Sequence, residues 1–401
     1  MIFLTETFEK LRLRLCAVTV FKGVTQSEVL SCFLRLLESI CQNSPADRKV
    51  SLYAEFTAAL YAHGCDLGEY LKTCICEDEN IYITLAAAKK PVLKVISDCA
   101  LAELELFSSI SAIDRSALKK AVLKEGELPD FLSTPYDFSD IYAKRVKNAD
   151  KKGYGIFARH TMFRVEKGEI LPFESPDEIR LDSLFGYEAE RKKVLDNTKA
   201  LLEGKPAANV LLFGDAGTGK SSTVKAVTNQ LASEGLRLIE LSKAQLPELP
   251  RVCGKIRENP LKFIIFIDDL SFNKNDDSLG TLKAILEGSA SAKSENAVIY
   301  ATSNRRHLVK ESFSDREGDD IHANDTKAEL LSLSERFGLT VLFGKPDKKL
   351  YLEIVKNLAR KKGIDLDEAS LFAKAEEYAL RKGGRSARAA EQFTDLLLAA
   401  R

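Results

Sequence analysis

Residues 214–221 read Gly214-Asp215-Ala216-Gly217-Thr218-Gly219-Lys220-Ser221, a complete match to the pattern G-x-x-x-x-G-K-[S/T]. No other stretch constrains the fold as strongly. The apolar run Val210-Leu211-Leu212-Phe213 precedes it, and a helical pattern follows to about Ser233, closed by Glu234-Gly235. A chance loop in some other α/β protein would not bring both flanks with it. Glycines 214, 217 and 219 let the backbone curl so that its N–H groups point inward. Those donors, with the positive end of a helix behind them, suit a polyphosphate. Lys220 is expected to reach the β- and γ-phosphates and Ser221 to place its hydroxyl on Mg²⁺. Ser222 belongs with the same set, and the expected ligand is ATP with Mg²⁺.

The run is one of five. Leu236-Arg237-Leu238-Ile239, Phe263-Ile264-Ile265-Phe266-Ile267, Ala297-Val298-Ile299-Tyr300-Ala301 and Thr340-Val341-Leu342-Phe343 also read as strands, with helical segments between them. Strands alternating with helices predict a parallel sheet covered on both faces. The 263–267 run is continuously apolar, as a strand buried on both faces requires. After Gly344-Lys345-Pro346 the pattern turns wholly helical, with helices expected at about 347–361, 367–382 and 385–400.

Polar residues stand where these strands end. Asp268-Asp269 follows the 263–267 run, at the edge of a parallel sheet where ligands bind. Asp268 is expected to hold Mg²⁺ through its water shell, and Asp269 to orient or deprotonate an attacking water. A helix cap is the plainer reading of Asp269. Asn304, in Ala301-Thr302-Ser303-Asn304-Arg305-Arg306, also ends a strand, and its amide suits a lytic water or the γ-phosphate. Asn caps many loops, so its weight comes from its place after the glycine loop and the two carboxylates. Phosphoryl transfer needs positioning and charge stabilisation. Arg336, in Ser334-Glu335-Arg336-Phe337-Gly338, and Arg385, in Gly383-Gly384-Arg385-Ser386-Ala387-Arg388, are the cations placed to supply it. Each reads equally as a surface ion-pair residue.

Two other nucleotide-binding patterns fail. Asn273-Lys274-Asn275-Asp276 spells a guanine-specificity motif, but it follows Asp268-Asp269 directly instead of ending a later strand. Phe272 stands where a D-x-x-G switch would have its glycine. An L-S-G-G-Q signature is absent from the sequence.

The first 135 residues or so read as helical, with apolar positions at three-to-four spacing in Val29-Leu30-Cys32-Phe33-Leu36-Leu37 and Leu60-Tyr61-Leu67-Tyr70-Leu71. These positions read as core. Pro129, Pro135 and the basic run Lys144-Arg145-Val146-Lys147 lead into Gly153-Tyr154-Gly155 and a strand-like Ile156-Phe157-Ala158-Arg159. The basic residues 144–152 read as a solvated face, with contact to nucleic acid as the sharper alternative. Four segments follow: a helical N-terminal domain over 1–140, a linker with short strands over 141–175, an α/β nucleotide-binding domain over 176–345 and a helical lid over 346–401.

The 59 basic and 59 acidic side chains cancel, so no global field draws the chain to nucleic acid or an anionic membrane. Seven of the eight cysteines lie in the first hundred residues, with one isolated C-x-C at Cys74 and Cys76. That pattern reads as reduced thiols instead of a metal site. No signal peptide or membrane span is legible, and the expected compartment is the cytoplasm.

The ordered set of glycine loop, Asp268-Asp269, Asn304, Arg336 and Gly-Gly-Arg in a helical lid resembles the AAA+ ATPases over about 176–401. The resemblance implies an α/β, three-layer P-loop fold with a small helical lid, and a mainly helical N-terminal domain before it. It implies that Leu184-Phe185-Gly186-Tyr187 lines the adenine pocket, that Arg336 is an arginine finger acting on a neighbour's nucleotide, and that Arg385, or else Arg388, is the sensor-2 arginine. Asp269 departs from the commoner Glu. The segments Phe263 to Phe272, Thr302 to Leu308 and Ser314 to Asp319 resemble more narrowly the bacterial family named domain of unknown function 815, and that resemblance extends into the N-terminal half.

These expectations converge on an ATPase that hydrolyses ATP in a homo-oligomer and remodels a protein held by the N-terminal domain. Two alternatives stand beside it: a slow ATP-dependent switch or binding module, and a DNA-acting loader using Arg305, Arg306 and residues 144–152. Nucleic acid is the less favoured partner, and no membrane role is expected.

Overall fold

The computed structural model describes residues 2–270, 280, 282–283, 286, 295–304 and 335–399. Arg305, Arg306, the polar stretch 317–327, residues 273–276 and residues 314–319 lie outside the described residues. The chain divides into two compact units, Met1–Arg159 and His160–Arg401.

The first unit is helical. Its helices are α1 (Ile2–Cys16), α2 (Lys22–Thr25), α3 (Glu28–Cys41), α4 (Ala46–Tyr61), α5 (Leu67–Glu77), α6 (Ile81–Ala87), α7 (Lys94–Ser111), α8 (Arg115–Val122), α9 (Phe138–Lys147), α10 (Ala149–Lys152) and α11 (Ile156–Arg159). α3 buries Val29, Leu30, Phe33, Leu36, Leu37 and Ile40, the stripe its spacing predicts. Asp66, Asn80, Asp114 and Asp137 cap α5, α6, α8 and α9 by accepting from their first-turn N–H groups. Phe33 and Phe131 both pack on Phe56, with ring centroids 5.2 and 5.3 Å away. All eight cysteines are free thiols.

Glu103 is a buried acidic member of this core. Its buried carboxylate accepts from the backbone N–H groups of Thr19, at 2.6 Å, Val20, at 3.1 Å, and Phe21, at 2.9 Å. Three donors of the α1–α2 turn, which the core would otherwise leave without partners, are thereby satisfied.

The linker expectation over 141–175 meets a different arrangement. Residues up to Arg159 are helical and belong to the first unit. Ile156-Phe157-Ala158-Arg159 is helix α11 and not a strand; so short an apolar run carries no periodicity that separates the two. In the basic run, Lys144 pairs with Asp140 at 2.6 Å, and Arg145 Nε donates to the Cys76 carbonyl at 2.7 Å. Those two cations have intramolecular partners.

The second unit has strands β1 (Met162–Glu166), β2 (Glu169–Pro172), β3 (Val210–Gly214), β4 (Leu236–Leu241), β5 (Lys262–Ile267), β6 (Ala297–Ser303) and β7 (Leu339–Phe343). They form one sheet in the order β2-β1-β4-β5-β6-β3-β7. β1 and β2 pair antiparallel, and every other neighbouring pair is parallel. Thus the short strands of 162–172 extend the sheet beyond the five that the sequence pattern predicts. Helices α12 (Glu188–Leu202), α13 (Lys220–Leu231) and α14 (Leu249–Ile256) intervene. Ile264 and Phe266 of β5 join the core cluster on one face; Phe263, Ile265 and Ile267 are as deeply buried on the other. The lid is α15 (Lys348–Lys361), α16 (Glu368–Arg381) and α17 (Ala387–Ala399), close to the expected spans. Asp347 and Asp367 cap its first two helices. This is the expected α/β arrangement, the one that the AAA+ resemblance implies: a mostly parallel sheet with helices between its strands, a small helical lid and a helical N-terminal unit.

Register decides where the chemistry lies. Phe213 pairs with Ser303, Ile267 with Ala301 and Gly214 with Phe343, so the carboxyl ends of β3, β5, β6 and β7 come out along one edge. Among the described residues no helix is long and apolar enough to cross a membrane.

Candidate functional site

A cavity of about 420 Å³ opens at that edge, a volume suited to a small ligand. The glycine loop, Asp268, Asp269, Thr302 and Asn304 line one side of it; Leu184 and the lid residues Ala387, Arg388 and Glu391 line the other. A wider cleft of about 790 Å³ runs along residues 176–182. It is bounded largely by one polar strap and Asn229-Gln230, without a phosphate loop, and the converging groups lie in the smaller cavity.

The loop is held by β7 and the lid. Gly214 has φ +133°, and a Cβ there would sit 2.1 Å from the Phe343 carbonyl oxygen. Asp215 N–H donates to that oxygen at 3.2 Å. Gly217 has φ +75°, and its carbonyl accepts from Arg388 N–H at 3.0 Å. Thr218 Oγ1 closes the turn on the Asp215 carbonyl at 2.9 Å. Ala216, Gly219, Ser221 and Ser222 face the cavity as α13 begins.

Lys220 is buried under the loop. Its Nζ donates to the carbonyls of Gly214, at 3.0 Å, and Asp215, at 2.7 Å, and to Asn304 Oδ1, at 3.0 Å. Burial pushes its pKa below the ordinary lysine value, against the raising effect of Asp215, Asp268 and Asp269; Arg388 adds to the lowering. An anionic ligand opposite Nζ would favour the charged form. Asn304 turns its amide nitrogen to Asp269 Oδ1 at 2.8 Å. One amide thus accepts from the cation and donates to the carboxylate, the one orientation that satisfies both neighbours.

Asp268 Oδ1 accepts from Ser221 Oγ at 2.6 Å, from Thr302 Oγ1 at 2.5 Å and from Asp269 N–H at 3.1 Å. Among the described residues no donor reaches Oδ2. A carboxylate oxygen with open lone pairs beside a serine hydroxyl is a hard-oxygen donor set that fits Mg²⁺, with phosphate and water completing the shell. Asp269 has φ +50°, a left-handed backbone in a residue other than glycine. Its N–H is also received by Thr302 Oγ1 at 2.9 Å.

The remaining expected residues separate. Tyr187 caps α12 with φ +60°; its hydroxyl donates to Gly344 O at 2.7 Å and its ring lies 5.4 Å from Phe343. Burial pushes that phenol's pKa up to about 12. Gly186 abuts Ile354 and Leu350 of α15, and Phe185 packs into the same core. Of this segment it is Leu184 that lines the cavity. Arg385 is not brought to the cavity: its guanidinium is engaged by Glu376 of α16. Arg388, one turn further on, lines it. Arg336 precedes the amino end of β7, at the opposite edge of the sheet from the loop, and is not among the lining residues. The motif pattern misses Thr302; its signal is period two, since it stands in β6 two residues before Asn304, which directly follows the strand.

Residues 158–401 match the model of the family described as "Protein of unknown function (DUF815)". The chain belongs to this family. Short matches reach two proteins named 26S proteasome regulatory subunit 4 homolog. The one from Saccharomyces cerevisiae is 37% identical over 82 residues, 19% of this chain and 17% of that protein. The one from Dictyostelium discoideum is 35% identical over 82 residues, again 19% and 17%. The chain therefore spans under a fifth of the length of these relatives. Among solved structures, two variants of RuvB from Thermotoga maritima align with TM-scores of 0.36 and 0.37, at 16% and 17% identity. They cover 55% and 54% of this chain, and 64% and 63% of theirs. The glycine loop, the strand-end polar residues and the lid relate this family member to the AAA+ ATPases.

Proposed function

We propose that the chain is a Mg²⁺-dependent ATPase that works as an oligomer and remodels a protein partner bound by its N-terminal helices. The observation that carries the reading is the line of contacts from Lys220 through Asn304 to Asp269 at the mouth of the glycine loop. It puts a phosphate-seeking cation, a neutral amide and a carboxylate base in one row along the sheet edge.

In this reading the backbone N–H groups of 216–222 hold the β-phosphate, and Lys220 leaves its carbonyl partners for the β- and γ-phosphate oxygens. Ser221 and Asp268 hold the metal, which when bound neutralises charge on the transferring phosphoryl group. Asn304 positions a water in line with the γ-phosphorus, and Asp269 takes its proton as the water oxygen bonds to phosphorus and the bond to the β–γ bridging oxygen breaks, releasing ADP. Arg388 approaches from the lid, where its backbone is already tied to Gly217. Arg336 completes a neighbouring subunit's site in trans.

One observation favours a slower form of this reading. Arg336 stands at the far edge of its own sheet, so a lone chain lacks the finger and holds ATP for long periods, as a switch would. For the DNA-loader alternative, Lys144 and Arg145 have partners within the chain, while Lys147, Lys151 and Lys152 of the same run are exposed.

The test is ATP turnover and ATP binding by the purified full chain, with and without Mg²⁺. Mg²⁺-dependent phosphate release, lost in Lys220→Ala, is the expected result. ATP binding absent from the wild type, or turnover unaffected by Lys220→Ala, would overturn the reading. Stimulation by duplex DNA that fades with salt would favour the loader instead.

A further inference from the structure

We infer that Thr302 is a positioning residue for the metal and the catalytic base: its hydroxyl holds the carboxylate of Asp268 and the backbone N–H of Asp269 at once. The inference rests on the proposed Mg²⁺–ATP site and adds a residue that nothing in the motif pattern assigns.

Four facts carry it. Thr302 Oγ1 donates to Asp268 Oδ1 at 2.5 Å and accepts from Asp269 N–H at 2.9 Å. Its own carbonyl accepts from Leu270 N–H at 2.7 Å. Its side chain is buried, 2% exposed, yet lines the cavity wall. The β5–β6 register, Ile267 opposite Ala301, puts Thr302 beside Asp268 one step further along. One residue of β6 therefore clamps three consecutive residues where β5 ends.

A hydroxyl suits this place because it has one proton to give and lone pairs to receive with. The proton goes to Asp268 Oδ1 and fixes the plane of that carboxylate, which lines the cavity and whose Oδ2 no described donor reaches. A lone pair takes the Asp269 N–H, which otherwise has only the longer contact to Asp268 Oδ1. That bond supports the left-handed backbone of Asp269, a conformation that persists only where its surroundings determine it. It brings the short Asp269 side chain to Asn304. Ser221 and Thr302 both donate to Asp268 Oδ1, but their futures differ. Ser221 is the hydroxyl expected to turn to the metal, whereas Thr302 sits on the neighbouring strand and keeps its bond. Groups behind a metal ligand commonly contribute about 10–100-fold in metal affinity or activity.

The experiment compares wild type, Thr302→Val, Thr302→Ala and Thr302→Ser as full chains. A fluorescent ATP analogue that resists hydrolysis is titrated first in EDTA and then across a Mg²⁺ series; steady-state turnover follows. In EDTA every variant is expected to bind the analogue within about threefold of wild type, which certifies a folded loop. The Mg²⁺ concentration for half-maximal enhancement of binding is expected to rise about tenfold or more in Thr302→Val and Thr302→Ala. kcat should fall with it, and Thr302→Ser, which restores the hydroxyl, should recover most of both. Thr302→Ala carries the test if Thr302→Val fails the EDTA control. Unchanged Mg²⁺ dependence in the hydroxyl-free variants overturns the inference, and so does an equal loss in Thr302→Ser, which would mark Thr302 as packing alone. A wild type that binds no nucleotide, or whose binding ignores Mg²⁺, overturns instead the site reading on which the inference rests.

Discussion

Arg385 and Glu376 are locked together: Nε and Nη2 of the arginine donate to the two carboxylate oxygens at 2.8 and 2.6 Å. The pair joins α16 to the turn before α17 and takes that guanidinium out of the cavity. Arg388 sits at the cavity wall instead. Arg388→Ala is expected to lower kcat about 10²-fold, the scale of one lost charge-stabilising donor. Arg385→Ala should change turnover by no more than about a few-fold, because its guanidinium is held by Glu376 and does not line the cavity. Steady-state phosphate release by the two variants decides; a larger loss in Arg385→Ala would return the lid role to that residue.

Asp269→Asn keeps the shape of the side chain and removes its basicity. Turnover should fall about 10²–10⁴-fold, the range of a lost general base, while ATP affinity stays within a few-fold. Single-turnover hydrolysis and equilibrium nucleotide binding separate the two quantities. Retained turnover would mean that another group takes the proton. A protein arrested in this way also offers the best bait for the partner of the N-terminal helices.

The cation assignments show where sequence reading reaches its limit. The glycine loop was legible because its chemistry is local: eight consecutive residues specify the turn, and the flanking patterns specify strand and helix. Asp268 and Asn304 were legible because each simply ends an apolar run. Arg385 and Arg388 share one short motif, and the choice between them depends on Glu376, nine residues upstream on another helix. Glu103 on α7 looked like any helical glutamate, since its partners lie more than eighty residues away. Short strands are expected within 141–175, but the sequence does not show where: β1 and β2 are four or five residues long and complete their pairing only against β4 and each other.

Glu103 gives a stability prediction for the first unit. Glu103→Ala leaves the N–H groups of Thr19, Val20 and Phe21 without their acceptor, and should cost about 3 kcal/mol or more. Glu103→Gln keeps one acceptor oxygen and should lose roughly half of that by the same reasoning. Urea unfolding followed by circular dichroism measures both. Equal stability of Glu103→Ala and wild type would show that water serves those donors as well.

Asp78 gives a pH prediction. Burial raises its pKa above the ordinary carboxylate value; the Asn80 hydrogen bond opposes this, Glu79 adds to it, Arg159 opposes it and Glu103 adds to it. An acid whose pKa is higher folded than unfolded stabilises the fold fully below the unfolded value, near about 3.9. That stability is lost as pH rises through the folded value. Asp78→Asn removes the titration, so its stability relative to wild type should increase between about pH 4 and pH 7. Denaturant midpoints of both proteins at a series of pH values test this; parallel curves would place the ionised carboxylate in a well-solvated position.

Arg336 yields the most specific prediction, because it can be tested by mixing. The residue precedes the amino end of β7 while Lys220 lies beyond the carboxyl end of β3, and these two strands are parallel neighbours in register. The length of the strands keeps this guanidinium from its own loop, so a finger role requires a second subunit. Three results should follow. Specific activity should rise with protein concentration. Arg336→Ala should bind ATP normally and lose about 10³–10⁵-fold in kcat. Equimolar Arg336→Ala and Lys220→Ala should regain activity together, because in mixed assemblies the Lys220→Ala subunits supply intact fingers to the sound loops of Arg336→Ala subunits. Phosphate release from the mixture, compared with the sum of its parts, is the measurement. A mixture no more active than that sum, in proteins shown by light scattering to co-assemble, would remove Arg336 from the neighbour's site and leave Arg388 as the cation acting on the transferring phosphate.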